Sequence, residues 1–309
     1  ISARPSSTAP RSRIAIAVVA IAGLVASGGV AGYGSTVAGA TRGAITVVFD
    51  GGNIEPSADG RYNILLLGGD AGPDRDGLRP DSISVASIDA NTGATVIIGI
   101  PRNMEEVRFV DGSPMYQLFP NGYDCGDECL ISYLYTEAEQ NPQLYPDAET
   151  NGSNAGIEAM RDAAQGVTGL TLQYYVLIDM QGFADLIDAL GGITITVAED
   201  TLLGAAEPGA EPFDVVEAGE QHLDGFTALW YSRTRYESTD YARMARQRDV
   251  QEAILRQFNP ANVLSKFEAI AHAGSQVVAT DIPSTMLGFF VDLAAKSREL
   301  PVTRLDLVP

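Results

Sequence analysis

Residues 61–102 read RYNILLLGGDAGPDRDGLRPDSISVASIDANTGATVIIGIPR. The run 62–67, Tyr-Asn-Ile-Leu-Leu-Leu, has the length and apolar character of a buried strand, and Gly68-Gly69-Asp70 ends it. A loop rich in Gly, Pro and Asp covers 71–80, and 82–89 forms a second strand. Asn91-Thr92-Gly93 is a hairpin signal, and 95–100 forms a third strand that stops at Pro101-Arg102. Connections this short join antiparallel neighbours. The end of the first strand, the start of the second and the end of the third therefore share one sheet edge. Asp70, Arg79, Asp81 and Arg102 gather there.

The remainder interleaves helices with strands. Residues 110–150 carry Pro114, Pro120, Pro142 and Pro146 and read as irregular. Residues 153–167 read as a helix with Asn154, Ile157, Met160 and Ala164 along one face. A strand at 173–179 precedes a helix at 183–190, which Gly191-Gly192 closes. A strand at 193–197 leads to an acidic loop over 199–218 and a helix from 225. Two further helices are expected at 260–272 and 283–297, and a last strand at 302–308. This alternation predicts an α/β fold with a mixed central sheet.

Residues 230–250 read WYSRTRYESTDYARMARQRDV. The chain carries a formal charge of -20, yet five of its 20 Lys and Arg residues fall here: Arg233, Arg235, Arg243, Arg246 and Arg248. Arg233 and Arg235 would point the same way in an extended segment. On a helix, Asp240, Arg243, Arg246 and Gln247 share one face, which continues as Val250, Ile254 and Phe258. That face is apolar downstream and charged in its first turns. Desolvating like charges is costly unless a counter-charge arrives, and phosphate oxygens match guanidinium forks. The competing reading is a solvated, salt-bridged helix start.

Composition removes several function classes. A pI near 4.3 leaves no basic surface for nucleic acid. His222 and His272 are the only histidines, and neither Cys-x-x-Cys nor His-Glu-x-x-His occurs, which speaks against a zinc site or a Ser-His-Asp triad. Residues 1–13 hold Arg4, Arg11 and Arg13 with no acid, and 14–33 are uncharged and largely apolar. At about 1.5 Å per residue this run spans roughly 30 Å, a bilayer core. The expectation is a cytoplasmic tail at 1–13, continuing further upstream since Ile1 is not Met, and a transmembrane helix at 14–33. A linker at 34–60 and an extracytoplasmic domain at 61–309 follow. A cleaved signal ending near Ala38-Gly39-Ala40 is the alternative. Outside the cell, Cys125 and Cys129 are expected to form a local disulfide rather than two free thiols.

Four blocks together resemble the LytR-CpsA-Psr family of cell-wall glycopolymer transferases. They are Leu-Leu-Leu-Gly-Gly-Asp70, Arg79-Pro-Asp81-Ser, Ile-Pro-Arg102-Asn103, and Tyr-Ser-Arg233-Thr-Arg235 followed by Asp240-Tyr-Ala-Arg243-Met-Ala-Arg246-Gln247. Asn103 departs from the family's usual Asp, and a neutral hydrogen bond is expected there in place of an ion pair. The resemblance implies a single α-β-α domain outside the membrane. It implies Mg²⁺, with Mn²⁺ as a substitute, and a polyprenyl-pyrophosphate-linked glycan whose phosphate is moved onto peptidoglycan. Asp70 and Asp81 would be the metal ligands, or else turn-capping aspartates. Arg79, Arg102, Arg233, Arg235 and Arg243 would hold the pyrophosphate, with Gln247 donating to it. Arg246 would do the same or pair with an acidic neighbour, and Asp81 would be the general base. A Mg²⁺-dependent polyprenyl-pyrophosphate pyrophosphatase or a non-catalytic regulatory protein using the same pocket are the other readings.

Overall fold

The computed structural model describes residues 53–70, 78–126, 129–204, 211–236, 238–257 and 278–307. The described parts of the 61–102 segment, 61–70 and 78–102, fold as the sequence predicts, with longer strands. β1 (Arg61–Asp70), β2 (Arg79–Asp89) and β3 (Thr95–Ile100) are joined by antiparallel pairing of β2 to both neighbours. β4 (Tyr174–Asp179) lies parallel to β1 on its other side. β5 (Ile193–Val197) and β8 (Gly219–Leu223) form a separate two-stranded antiparallel sheet, as do β6 (Thr201–Leu203) and β7 (Asp214–Val216). β9 (Val278–Thr280) and β10 (Thr303–Asp306) complete a six-stranded sheet in the order β10-β3-β2-β1-β4-β9. The sheet is mixed, as expected.

Strand alternation sends neighbouring residues to opposite faces. Leu65, Leu67, Ile83, Val85, Ile100, Tyr175 and Leu177 face a large core. This side is covered by α1 (Pro114–Leu118), α2 (Leu134–Glu139) and α3 (Ala155–Thr168). Asn154 caps α3 by accepting from the Ile157 amide at 2.8 Å, and Gly169 at φ 70° ends it. The other face carries Ile64, Leu66, Ala86, Ile88 and Ile97. It is covered by α4 (Met180–Leu190), α5 (Gly225–Arg233), α6 (Asp240–Gln257) and α7 (Leu287–Arg298). At its far end, Tyr62 and Tyr174 of the sheet pack on Phe290 of α7, with ring centroids 5.1 and 5.7 Å away. The α-β-α layering is therefore present.

Several expectations are corrected. The 110–150 segment is not wholly irregular, because α1, α2 and two 3-10 turns lie inside it. The acidic 199–218 loop contains β6 and β7. Arg233 is the last residue of α5 rather than part of an extended run. The expected helix at 260–272, the tail and membrane segment at 1–33, most of the 34–60 linker and Phe258 lie outside the described residues. Among the described residues no helix is long and apolar enough to cross a membrane. Cys125 and Cys129 are disulfide-bonded, with Cα atoms 5.2 Å apart.

Candidate active site

The carboxyl ends of the parallel strands β1 and β4 meet at one edge, where Gly69 pairs with Asp179. β2 begins and β3 ends at the same edge. Ligand sites in open α/β sheets form at such ends. A cavity of about 730 Å³ opens there and runs beneath α4, α5 and α6. It follows β2 from Asp81 to Ile88, seven residue steps or roughly 23 Å at about 3.3 Å each.

The two ends of the cavity differ in chemistry. Its inner walls are apolar: Ile64, Leu66, Ala86, Ile88, Ile97, Val176, Leu229 and Ile254. Its mouth carries Arg79, Arg102, Arg233, Arg235 and Arg243 against Asp81 and Asp179. Among the described residues, five guanidiniums and two carboxylates line the mouth, in a chain whose net charge is -20. An anion entering the mouth offsets repulsion among the guanidiniums, and each can bind it bidentately.

Three of these arginines have described partners. Arg102 donates to Asp81 across the gap between β3 and β2. Arg79 lies 4.9 Å from the Tyr133 ring centroid, and Arg233 lies 5.3 Å from that of Trp230. Arg243 is 3% exposed on the first turn of α6, next to Gln247, which donates to the Ser232 carbonyl at 3.3 Å. Gly69 allows the close approach of the 78–81 segment, because a Cβ there would sit 2.9 Å from the Leu78 side chain. The side chain of Asp70 lies outside the described structure; its backbone ends β1 opposite Arg79. Among the described residues no group of three or more acids, histidines or cysteines could hold a metal ion.

Arg246 lies apart from the other arginines expected at the substrate. It does not line the cavity. Its guanidinium donates to the Tyr231 carbonyl at 2.9 Å, to the Thr234 carbonyl, and to Ser238 Oγ at 3.2 Å. Burial lowers its pKa from the ordinary arginine value. One turn of helix therefore separates a mouth arginine, Arg243, from a fastener of the α5–α6 turn. Arg248 is likewise buried and paired, with Asp306 of β10.

The cavity also brings in residues that the sequence reading missed: Ser82, Ser132, Tyr133, Asp179, Trp230 and Gln251. Asp179 could have been found from β4 being parallel to β1; it also caps α4, accepting from the Gly182 amide at 2.9 Å. Tyr133 sits in a short turn with no periodic signal.

The LytR_cpsA_psr family model matches residues 36–306. The chain belongs to that family. Among its members it is 26% identical over 276 residues to the cell wall biosynthesis protein LcpA of Corynebacterium glutamicum, covering 81% of this chain and 52% of that protein. It is 28% identical over 225 residues to the polyisoprenyl-teichoic acid–peptidoglycan teichoic acid transferase TagU of Enterococcus faecalis, covering 72% of this chain and 61% of that protein. The chain thus spans a little over half the length of these curated relatives. The crystal structure of gbs0355 from Streptococcus agalactiae is similar in fold, with a TM-score of 0.58 and 26% identity over 80% of this chain and 77% of that one. The four motif blocks lie at the end of β1, the start of β2, the end of β3, and the end of α5 with the start of α6, and each contributes residues to the cavity lining.

Proposed function

We propose that this LytR-CpsA-Psr domain is a phosphotransferase joining a polyprenyl-pyrophosphate-linked glycan to peptidoglycan. The observation that carries the reading is the cavity: an apolar tunnel whose mouth carries five arginines. A polyprenyl tail lies in the tunnel, where its apolar area leaves water. The pyrophosphate sits among Arg79, Arg102, Arg233, Arg235 and Arg243. The name of the relative TagU, a polyisoprenyl-teichoic acid–peptidoglycan transferase, supports the same pairing of donor and acceptor.

In the reaction, an acceptor hydroxyl oxygen attacks the glycan-side phosphorus. The bond from that phosphorus to the bridging oxygen breaks, and polyprenyl phosphate leaves with the electron pair. The hydroxyl proton passes to a carboxylate at the mouth, for which Asp81 and Asp179 are the described candidates. Negative charge builds on phosphate oxygens, and the fixed guanidiniums neutralise it without reorganising.

The residues at the mouth fit Mg²⁺. This ion takes one or two protein carboxylates and completes its shell with phosphate oxygens and water. Asp81 would hold it, with Asp70, whose backbone ends β1 opposite Arg79, as the second expected ligand. When bound, Mg²⁺ supplies further charge neutralisation on the pyrophosphate. The apolar run at 14–33 would tether the domain to the outer face of the membrane, near its lipid-linked donor.

Product analysis tests the proposal. Purified protein is given a labelled lipid-linked glycan with and without peptidoglycan oligomers. Label on the oligomers, with release of polyprenyl phosphate, is the expected result. Release of label into water at the same rate with or without acceptor means hydrolysis instead. Binding without turnover means a carrier or regulator.

A further inference from the structure

Phe213, Phe226 and Trp230 form an aromatic corner on the surface. Phe213 lies 4.9 Å from Trp230 at 79° and 6.0 Å from Phe226 at 51°, and the remaining pair is 6.3 Å apart at 57°. Phe213 is 52% exposed and Phe226 58%, with Val215 beside them at 41%. Large rings held together in water mark an interaction site more often than a packing defect. The corner is held rather than loose. Phe226 and Trp230 are one turn apart on α5, and the Phe213 amide donates to the Leu203 carbonyl at 2.9 Å.

Its position is specific. Trp230 lines the cavity and has the Arg233 guanidinium 5.3 Å from its ring centroid. Phe213 and Phe226 are not part of the cavity wall and continue outward from Trp230. One side of this corner thus touches the proposed phosphate site and the other is open to solvent.

We infer that this aromatic corner seats a pyranose ring of the acceptor glycan strand at the rim of the arginine-lined mouth. The inference rests on the transfer reading above. A sugar presents a face of C–H bonds, which packs on the negative face of an aromatic ring while its hydroxyls stay hydrated. The donor pyrophosphate occupies the mouth, so an acceptor polymer arriving from outside must be met at the rim. Charge separates this from insertion into a lipid surface. Glu211, Asp214, Glu217 and Glu220 are exposed on β7, on β8 and on the residues flanking β7. Anionic lipids are repelled there, whereas a pyranose ring brings no charge of its own.

Trp230 is the only tryptophan in the chain, so its fluorescence reports on the corner directly. The intact protein is titrated with soluble peptidoglycan fragments of a few disaccharide repeats, and separately with anionic phospholipid vesicles and with a polyprenyl pyrophosphate in detergent. The fragments are expected to give a saturable change in emission. Phe213→Ser combined with Phe226→Ser weakens that binding at least tenfold and leaves polyprenyl pyrophosphate affinity and circular dichroism unchanged. Phe226→Tyr, which keeps a ring, retains fragment affinity. In the transfer assay the double variant raises KM for acceptor and keeps kcat. Undiminished fragment binding by the double variant, no fragment response in the wild type, or a response only to vesicles each overturns the inference. The titration needs no turnover, so its failure is distinguishable from failure of the transfer reading.

Discussion

Asp81 and Arg102 form an ion pair across the edge where β2 begins and β3 ends. Their side chains are 28% and 29% exposed, so solvent screens the pair and it stabilises the fold by about 1 kcal/mol or less. Its consequence is positional: a carboxylate and a guanidinium are held facing the same opening. Asp81→Asn is therefore expected to leave the melting temperature almost unchanged. The proposed metal role adds a second expectation. Bound polyprenyl pyrophosphate raises Mg²⁺ affinity, and Mg²⁺ raises lipid affinity by the same factor. Calorimetric Mg²⁺ titration of Asp81→Asn with lipid present should show that gain lost; an affinity equal to wild type contradicts the assignment.

Arg246 and Arg243 separate stability from activity. Arg246→Ala removes the donor to two main-chain carbonyls and leaves them buried. The expected cost is about 2–3 kcal/mol of folding free energy. Thermal unfolding measures it, and the protein that remains folded should still transfer glycan. A variant with normal stability and no activity would return Arg246 to the substrate site.

Much of this architecture was legible before the structure, and the reasons are local. Residues 61–102 carry apolar runs separated by turn residues, and that pattern alone predicted the edge shared by Arg79, Asp81 and Arg102. Gly191 marks a helix end by its own chemistry, whereas Asn154, read as part of a helix face, is the cap that precedes α3. The cavity was not legible, because its walls use the same residue types as the core. Ile64 and Leu65 are adjacent and equally apolar, yet one lines the cavity and the other is in the core. Only the pairing of strands with covering helices separates them. β6 and β7 are three residues each, too short for alternation to register. Arg243 and Arg246 share a helix face, and only the end of α5 shows which of them fastens backbone.

The tunnel predicts a chain-length effect. Ala86 lines it at the centre of the sheet, opposite Ile64 on β1 and Ile97 on β3. Ala86→Phe places a ring in the space assigned to the tail. Affinity for a long polyprenyl pyrophosphate should fall at least tenfold, while a short-chain analogue binds nearly as before. The added ring enters existing space, so stability should fall by less than the 1–3 kcal/mol of ordinary overpacking. Equal loss for both lipids would mean the variant disturbs the mouth instead.

Asp162 predicts a pH effect on stability. Tyr145 donates to it at 2.5 Å, but burial dominates and raises its pKa to about 6. The folded state then holds this proton more tightly than the unfolded chain does. The resulting stabilisation is complete below about pH 4 and is lost as pH rises through about 6. Asp162→Asn should therefore melt higher than wild type at pH 7.5 and nearly level with it at pH 4. The difference at pH 7.5 should be no more than about 3 kcal/mol. An Asn variant less stable than wild type at pH 7.5 would mean the carboxylate is needed ionised.

The mouth arginines carry the chemical claim. Single-turnover transfer from a saturating labelled lipid-linked glycan to peptidoglycan oligomers should be measured for Arg233→Ala and Arg243→Ala, each checked for an unchanged melting profile. Each change removes one donor to the charge that develops on phosphate. The expected loss is about 3 kcal/mol, or roughly a hundredfold in rate. Lysine at either position should restore only part of it, since the fork geometry is gone. If both alanine variants transfer at the wild-type rate, these arginines do not act on the pyrophosphate, and the proposed mechanism is wrong.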